Sequence, residues 1–407
     1  MKYAHFSDVH IGSWRDQKMN HLSTLAFEKA VDSCIQQQVD FILISGDIFN
    51  TSMPPIDKLK HVVAKLRQLK NNNIPVYIIA GSHDFSPSGK TMLDVIEEAG
   101  LWINVVRGEI RDDKLHLQFT IDQKTGAKIT GMIGKKGMLE RHYYEELARE
   151  PLEQEQGYKI FMFHTAITEL KPKDLEQMES YPISLLPKGF NYYAGGHVHT
   201  IKQVNIEGYG PVTYPGALFP ANFRELEQYG RGGMYMISNA ANNTNIEWQP
   251  IELFPTIHLL IDCANKSPQQ VEDDIRKQIH ERNLQNAIVL LRFHGAFSIG
   301  SIADISFSTL SREMEQQGAY IVLRNTAAVS APEFEEIKIV AETTEDIEEK
   351  LIAEHLGQIP VEGMAKEEEK ELIKHFMAFL DIEKDEGERL IDFERRVVGQ
   401  ARTNSSL

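Results

Sequence analysis

Five short stretches of the chain place metal-ligating side chains just past an apolar run: "SDVH" with Asp8 and His10, "SGDIFN" with Asp47 and Asn50, "GSHD" with Ser82, His83 and Asp84, "FHTA" with His164, and "GGHVH" with His197 and His199. In D-x-H and H-x-H, side chains two apart in an extended segment point the same way, so each pair can grip a common centre. Carboxylate and imidazole without thiolate suit Mn2+, Fe or Zn2+ better than copper(I) or an iron–sulfur cluster. Glycines at 46, 81, 195 and 196 permit the tight turns that bring backbone close to a metal and a phosphate. Each piece alone is commonplace: D-x-H after a strand, a Gly-Asp turn, a lone His164 and an exposed H-x-H all arise without function. Five together, each at a strand end, point to one dinuclear site.

The elements that must carry these residues are legible as alternating patterns. "KYAHFS" (2–7), "DFILIS" (40–45), "PVYIIA" (75–80), "AKITGMI" (127–133), "YKIFMFH" (158–164) and "NYYAGG" (191–196) read as strands. Helical spacing covers 21–38 and 55–72, and further strands run to about residue 253. The alternation predicts an α/β core in which loops converge at strand C-termini. From Pro255 a strand, helix, strand, helix, strand rhythm predicts a small α+β module. Beyond it lies a charge-dense helical tail, with Ile347, Leu351 and Leu356 on one helix face and Leu372, Ile373, Phe376 and Leu380 on another.

Composition bounds the class. The 407 residues suffice for two or three domains, and the two cysteines, Cys34 and Cys263, form no C-x-x-C spacing. Neither an apolar run long enough to span a membrane nor a cleavable leader is visible, and the chain reads as cytoplasmic, with no membrane partner. Of the net charge of −16, residues 331–407 carry −11 through 21 acidic and 10 basic residues, leaving −5 for residues 1–330. The acidity is mainly a property of the tail, so it does not exclude nucleic acid elsewhere. No Ser/His/Asp or Cys/His nucleophile motif stands out. "PSGKT" (87–91) lacks the spacing of a nucleotide-binding loop and reads as a helix start. His5, His21, His61 and the remaining histidines outside the five stretches read as structural or surface residues.

The order D-x-H, G-D, G-[N]-H-[DE], lone His, G-H-x-H resembles the signature of the calcineurin-like metallophosphoesterases over roughly residues 1–240. Within them, "FSDVHIG", "SGDIFN", "GGHVH" and "YPGA" (214–217) are similar to stretches of the nuclease subunit of double-strand-break repair complexes, the SbcD or "Mre eleven" type. The resemblance implies a four-layer α/β/β/α metallophosphoesterase core at 1–254, a smaller α+β DNA-capping domain at 255–332 and a helical C-terminal tail at 333–407.

It also implies two divalent metal ions per subunit, taken as Mn2+: Asp8, His10 and His199 on one, His164 and His197 on the other, Asp47 bridging and Ser82 contributing to the second. His83 would stand beside the scissile phosphate, stabilising the charged transition state or protonating the leaving oxygen, with Asp84 as its orienting partner. Two such ions would polarise a phosphodiester and make water acidic enough to attack at neutral pH. The implied partners are DNA, as duplex ends and single strands, an SMC-like coiled-coil ATPase bound through the tail, and a second copy of the chain. The implied activity is a DNA exonuclease and endonuclease; the alternative is hydrolysis of small phosphate esters or cyclic nucleotides. Two departures are visible. Ser82 stands where the family has Asn, leaving open whether it ligates directly, and Asn50 stands where many members have a second catalytic histidine, which puts the balance of exonuclease and endonuclease action in question.

Overall fold

The computed structural model describes residues 1–84, 91–171, 177–240 and 243–330, together with positions 370, 373, 393 and 395–398. The chain begins with β1 (Lys2–Phe6), α1 (Gln17–Gln36), β2 (Phe41–Ser45), α2 (Ile56–Asn71), β3 (Val76–Ile79), α3 (Met92–Glu98) and β4 (Ile103–Asn104). Short strands β5 (Gly108–Arg111), β6 (Lys114–Leu117), β7 (Thr120–Ile121) and β8 (Lys128–Gly131) come next, then helices α4 (Arg141–Glu145) and α5 (Arg149–Gln154). After them run β9 (Lys159–His164), β10 (Tyr192–Gly196), β11 (Lys202–Asn205), β12 (Pro211–Tyr214), α6 (Phe223–Tyr229), β13 (Gly232–Ala240) and β14 (Asn243–Ile251). The last described elements are β15 (Thr256–Asp262), α7 (Pro268–His280), β16 (Ile288–Ala296), α8 (Phe307–Gln316) and β17 (Ile321–Ser330).

Among the described residues two six-stranded sheets form, in the orders β14-β13-β1-β2-β3-β4 and β11-β12-β10-β9-β8-β7, together with a three-stranded sheet β15-β16-β17 and a β5-β6 hairpin. The α/β class is as the alternating pattern predicts. Strands β1, β2 and β3 are parallel neighbours, as are β8, β9 and β10. Their near-continuous apolar runs follow from burial on both faces, and the period of two sorts the side chains. Tyr3, Phe41, Leu43, Tyr77 and Ile79 join Ile160, Met162, Tyr192 and Ala194 of the second sheet in one shared core. Ala4, Phe6, Ile42, Ile44 and Ile78 turn the other way, onto α1 and α2. Phe161, Phe163 and Tyr193 point out of the second sheet into a third cluster with Tyr144, Leu152 and Tyr181.

Helix α1 starts earlier than the apolar spacing predicts, because Asp16 accepts the Met19 N–H and caps it. Its stripe (Met19, Leu22, Phe27, Val31) and that of α2 (Val62, Leu66, Leu69) belong to the core. Thr91, the last residue of "PSGKT", caps α3 in a reciprocal box with Asp94, so that stretch does start a helix, although residues 85–90 lie outside the described ones. The tail helices proposed around Ile347–Leu356 and Leu372–Leu380 also lie almost wholly outside the described residues.

Chain contacts define two compact units: Met1–Asp262 with Gln269–His294 and Ile305–Ala328, and Cys263–Pro268 with Gly295–Asp304 and Val329–Leu407. All the metal-ligating candidates belong to the first. No helix among the described residues is long and apolar enough to cross a membrane.

Candidate metal centre

Strands β1, β2 and β3 of the first sheet and β9 and β10 of the second deliver the five stretches at their C-terminal ends, and His164 pairs in register with Gly196. Asp8 (φ 51°), His10 (φ 45°), Asp47 (φ 52°) and His197 (φ 84°) all adopt left-handed backbone. Such conformations cost on the order of 1–3 kcal/mol each and persist only where the surroundings over-determine them. Here they do: Asp8 N–H donates to Gly46 O (3.1 Å), His10 N–H to Asp47 O (3.0 Å) and Ile11 N–H to Ile48 O (3.0 Å), zipping the loop after β1 onto the loop after β2.

Two buried carboxylates sit in the middle. Asp8 accepts the Ser7 hydroxyl (2.5 Å) and the His197 N–H (3.0 and 3.1 Å), and one of its oxygens lies 3.6 Å from His199 Nε2 and 4.0 Å from His10 Nε2. Asp47 Oδ1 accepts the His83 N–H (2.7 Å), while Oδ2 lies 3.2 Å from His164 Nε2 and 3.8 Å from His10 Nε2. A Cβ on Gly46, at φ +86°, would stand 2.3 Å from His164 Nδ1, and one on Gly81 2.3 Å from Asp47 Oδ1. Only glycine leaves room for these two ligands at those positions.

The imidazoles are aimed by their far nitrogens. His164 Nδ1–H donates to Ser45 O (2.7 Å), which turns Nε2 inward; among the described residues that buried Nε2 has no hydrogen-bond partner, despite its approach to Asp47. His199 Nδ1–H donates to Glu225 Oε1 (2.8 Å), leaving Nε2 3.1 Å from His10 Nε2. An orphaned inward nitrogen and two ring nitrogens facing each other are what a shared cation resolves.

Electrostatics agree with that reading. Burial pushes His10 and His197 down to about 4 each, keeping them neutral lone-pair donors. Burial also opposes a proton on His164, but Asp47 overrides it and lifts the group to about 9; Asp8 and Glu225 likewise hold His199 well above the ordinary value. Burial would raise Asp8, yet His199 and His164 bring it down to about 2, and the imidazoles hold Asp47 well below the usual range. Without a metal, then, protons on His164 and His199 balance the two carboxylates. A divalent ion held here would displace protons, so its binding would tighten as pH rises.

Among the described residues, ligand atoms converge in three overlapping groups: Asp8 with His10 and His199, Asp8 with Asp47 and His164, and His10 with Asp47 and His83, the atoms of each within 4.8 Å of one another. The donor set therefore fits divalent ions. His197 lies outside these groups, its ring edge-on to His164 at 5.2 Å between centroids. Ser82 is buried, and its hydroxyl donates to Asp47 Oδ2 at 3.3 Å. His83 packs edge-on to His10, centroids 4.8 Å apart, and its Nδ1 lies 2.9 Å from the backbone carbonyl of Asn50.

That contact corrects the expected pairing of His83 with Asp84. The Asp84 carboxylate instead accepts N–H groups from Gly81 (3.1 Å), Phe49 (3.2 Å) and Ile48 (3.4 Å), clasping the loop after β3 to the loop after β2. Burial, then the charge of Asp47, pushes it up to about 7. Asn50 orients His83 through its main chain. Glu225 was missed in the sequence. Asn222-x-x-Glu225 at the start of α6, where Asn222 accepts the Glu225 N–H, signals a helix N-terminus, but nothing local ties that helix to His199, 26 residues away.

A cavity of about 300 Å³ opens beside His197 and His199, with Thr200, Asn222 and Arg224 on its wall.

A family profile described as Calcineurin-like phosphoesterase matches residues 1–200. Among curated proteins, the DNA double-strand break repair protein Mre11 of Archaeoglobus fulgidus is 28% identical over 244 residues, which are 57% of this chain and 53% of the relative. The chain thus spans about half the length of that relative. The protein of the same name from Sulfolobus acidocaldarius is 25% identical over 401 residues, covering 96% of this chain and 97% of its own. That of Thermoplasma acidophilum is 25% identical over 378 residues, 89% and 96% of the two chains. Among solved structures, a dimetal phosphatase from Danio rerio aligns with 62% of this chain and 96% of its own at 10% identity and a TM-score of 0.42, a likeness too weak to build on.

Proposed function

We propose, from the match of residues 1–200 to the Calcineurin-like phosphoesterase profile, that the protein is a manganese-dependent DNA nuclease acting in double-strand break repair. The chemistry rests on the convergence of Asp8, His10, Asp47, His164 and His199 at four strand ends. DNA is favoured over a small ester because likeness to a double-strand break repair protein continues through 96% of the chain, far beyond the phosphoesterase domain.

Asp8, His10 and His199 would hold one ion and His164 and His197 the other, with Asp47 between them and Ser82 contributing to the second. Bound there, two ions supply Lewis acidity to a phosphodiester and lower the pKa of attacking water. The chain's own residues do the rest. His83 spends Nδ1 on the Asn50 carbonyl, so Nε2 is the atom that holds or gives a proton to the leaving oxygen. The Asn50 side chain can donate to a phosphate but cannot transfer a proton. Asp84 acts on neither directly; it holds the Asp47 loop and the His83 loop in one arrangement. Residues 255–332 would cap the DNA and 333–407 would bind an SMC-like ATPase, in a homodimer.

The test is cleavage of end-labelled duplex and of circular single-stranded DNA with Mn2+ or Mg2+. Wild type cuts with Mn2+; Asp47→Ala does not, and His83→Ala binds DNA but cuts slowly. Turnover of phosphomonoesters with no cut in either DNA would overturn the proposal.

A further inference from the structure

We infer that the buried His5 is a positioning residue: through Ser45 and Tyr192 it fixes the distance between the ligands of the first sheet and those of the second. It thereby decides whether both divalent ions can be held together. This rests on the two-ion reading above.

His5 is fully buried on β1 among the side chains shared by the two sheets, whose neighbours are otherwise largely aromatic and aliphatic. A polar ring in such a layer is tolerated only if its hydrogen bonds are complete. They are, and they run in one direction. Thr213 Oγ on β12 donates to Tyr192 Oη on β10 (2.7 Å), which leaves the Tyr192 proton for His5 Nδ1 (2.9 Å). His5 Nε2–H in turn meets Ser45 Oγ on β2 (3.0 Å), and Ser45 donates onward to Ala194 O on β10 (2.9 Å). The ring therefore acts as a neutral imidazole with one donor and one acceptor, in keeping with burial pushing it down to about 3. The chain starts on the second sheet, crosses to the first and returns.

Its end point is the metal centre. Ser45 also offers its carbonyl to His164 Nδ1–H (2.7 Å), and Asp47 follows two residues later. A Cβ on Gly196, just before His197, would stand 2.0 Å from that same carbonyl. One residue thus touches the strand ends that carry His164 and His197 while it precedes the carboxylate expected to bridge the ions. Apolar contacts alone let two sheets slide by fractions of an ångström, whereas a directed chain of hydrogen bonds does not. An error in that spacing falls on Asp47, which must serve both sides.

The test compares wild type, His5→Leu, His5→Gln and Tyr192→Phe. Mn2+ binding is followed by titration calorimetry, and the bound ions by low-temperature electron paramagnetic resonance, which distinguishes a spin-coupled pair from isolated ions. Wild type should bind two ions as a coupled pair. In His5→Leu the second ion should bind about 10–100-fold more weakly, the scale of outer-shell losses, and the coupled signal should give way to that of an isolated ion. His5→Gln, which keeps a donor and an acceptor, should restore the pair, and Tyr192→Phe should fall between.

A His5→Leu protein that melts earlier yet keeps the wild-type affinities and coupled spectrum would show a purely structural role and overturn the inference. So would a glutamine variant as damaged as leucine. If leucine does not fold, Tyr192→Phe decides, since it removes one hydroxyl and leaves the ring. Wild type that binds a single ion would sink the two-ion reading itself.

Discussion

The candidate ligands that β1, β2 and β3 carry are two carboxylates, one imidazole and a hydroxyl, mostly on left-handed loop backbone; those of β9 and β10 are three imidazoles at or just past regular strand ends. The first set is fixed by main chain. Loops zip together through Asp8, His10 and Ile11, and Asp84 clasps the turn that carries Ser82 and His83. The second set is aimed by outside partners, with Ser45 O holding His164 and Glu225 holding His199. The difference teaches where each half is vulnerable. The carboxylate half should fail when its charge or its backbone is altered, the imidazole half when a remote acceptor is lost.

Four variants break or sharpen this contrast. Asp47→Asn keeps shape and can still accept the His83 N–H, but it removes the charge that both halves approach. Cleavage of DNA and of a small phosphodiester should fall by more than the roughly 100-fold limit of outer-shell losses, measured as kcat/KM at saturating Mn2+. Gly46→Ala attacks the backbone of the carboxylate half. With φ +86° and a Cβ only 2.3 Å from His164 Nδ1, it should cost on the order of 1–3 kcal/mol in denaturant melts of the metal-free protein.

Glu225→Gln attacks the imidazole half through its remote partner: His199 keeps an acceptor but loses a charged one. Metal affinity should weaken by about tenfold, with cleavage largely recovered by added Mn2+; an effect as severe as that of Asp47→Asn would erase the contrast. Ser82→Asn should matter least. The serine hydroxyl already donates to Asp47 Oδ2 at 3.3 Å, so the longer amide should change metal affinity and rate by less than about tenfold. A gain of several orders of magnitude would show a centre that serine cripples.

Much of the centre could be read from residue types and order. Asp8, His10, Asp47, His164 and His199 announce themselves because short motifs repeat one physical device, a ligand just past an apolar strand. The strands that carry them were legible for the same reason: "FILIS" and "VYII" are buried along their whole length, and that burial leaves long apolar runs. The short strands β4, β7 and β11 were not, since they are only partly buried and leave no apolar run. The start of α1 at Asp16 was also missed, because capping overrode the apolar spacing.

What the sequence determined by itself is the inventory: carboxylates and imidazoles without thiolate, glycines beside them, and an α/β alternation that sends their loops to one end. What only the tertiary structure decided is who holds whom. Asp84 lies next to His83 in the chain, yet it accepts N–H groups from Ile48 and Phe49 and leaves His83 to the Asn50 carbonyl. Glu225, His5 and Ser45 join the centre, directly or at one remove, across 26, 192 and 119 residues of chain from His199, His197 and His164. Local spacing can fix which side chains share a strand end. Hydrogen bonds between strands distant in sequence depend on how the two sheets pack, and no local pattern encodes that.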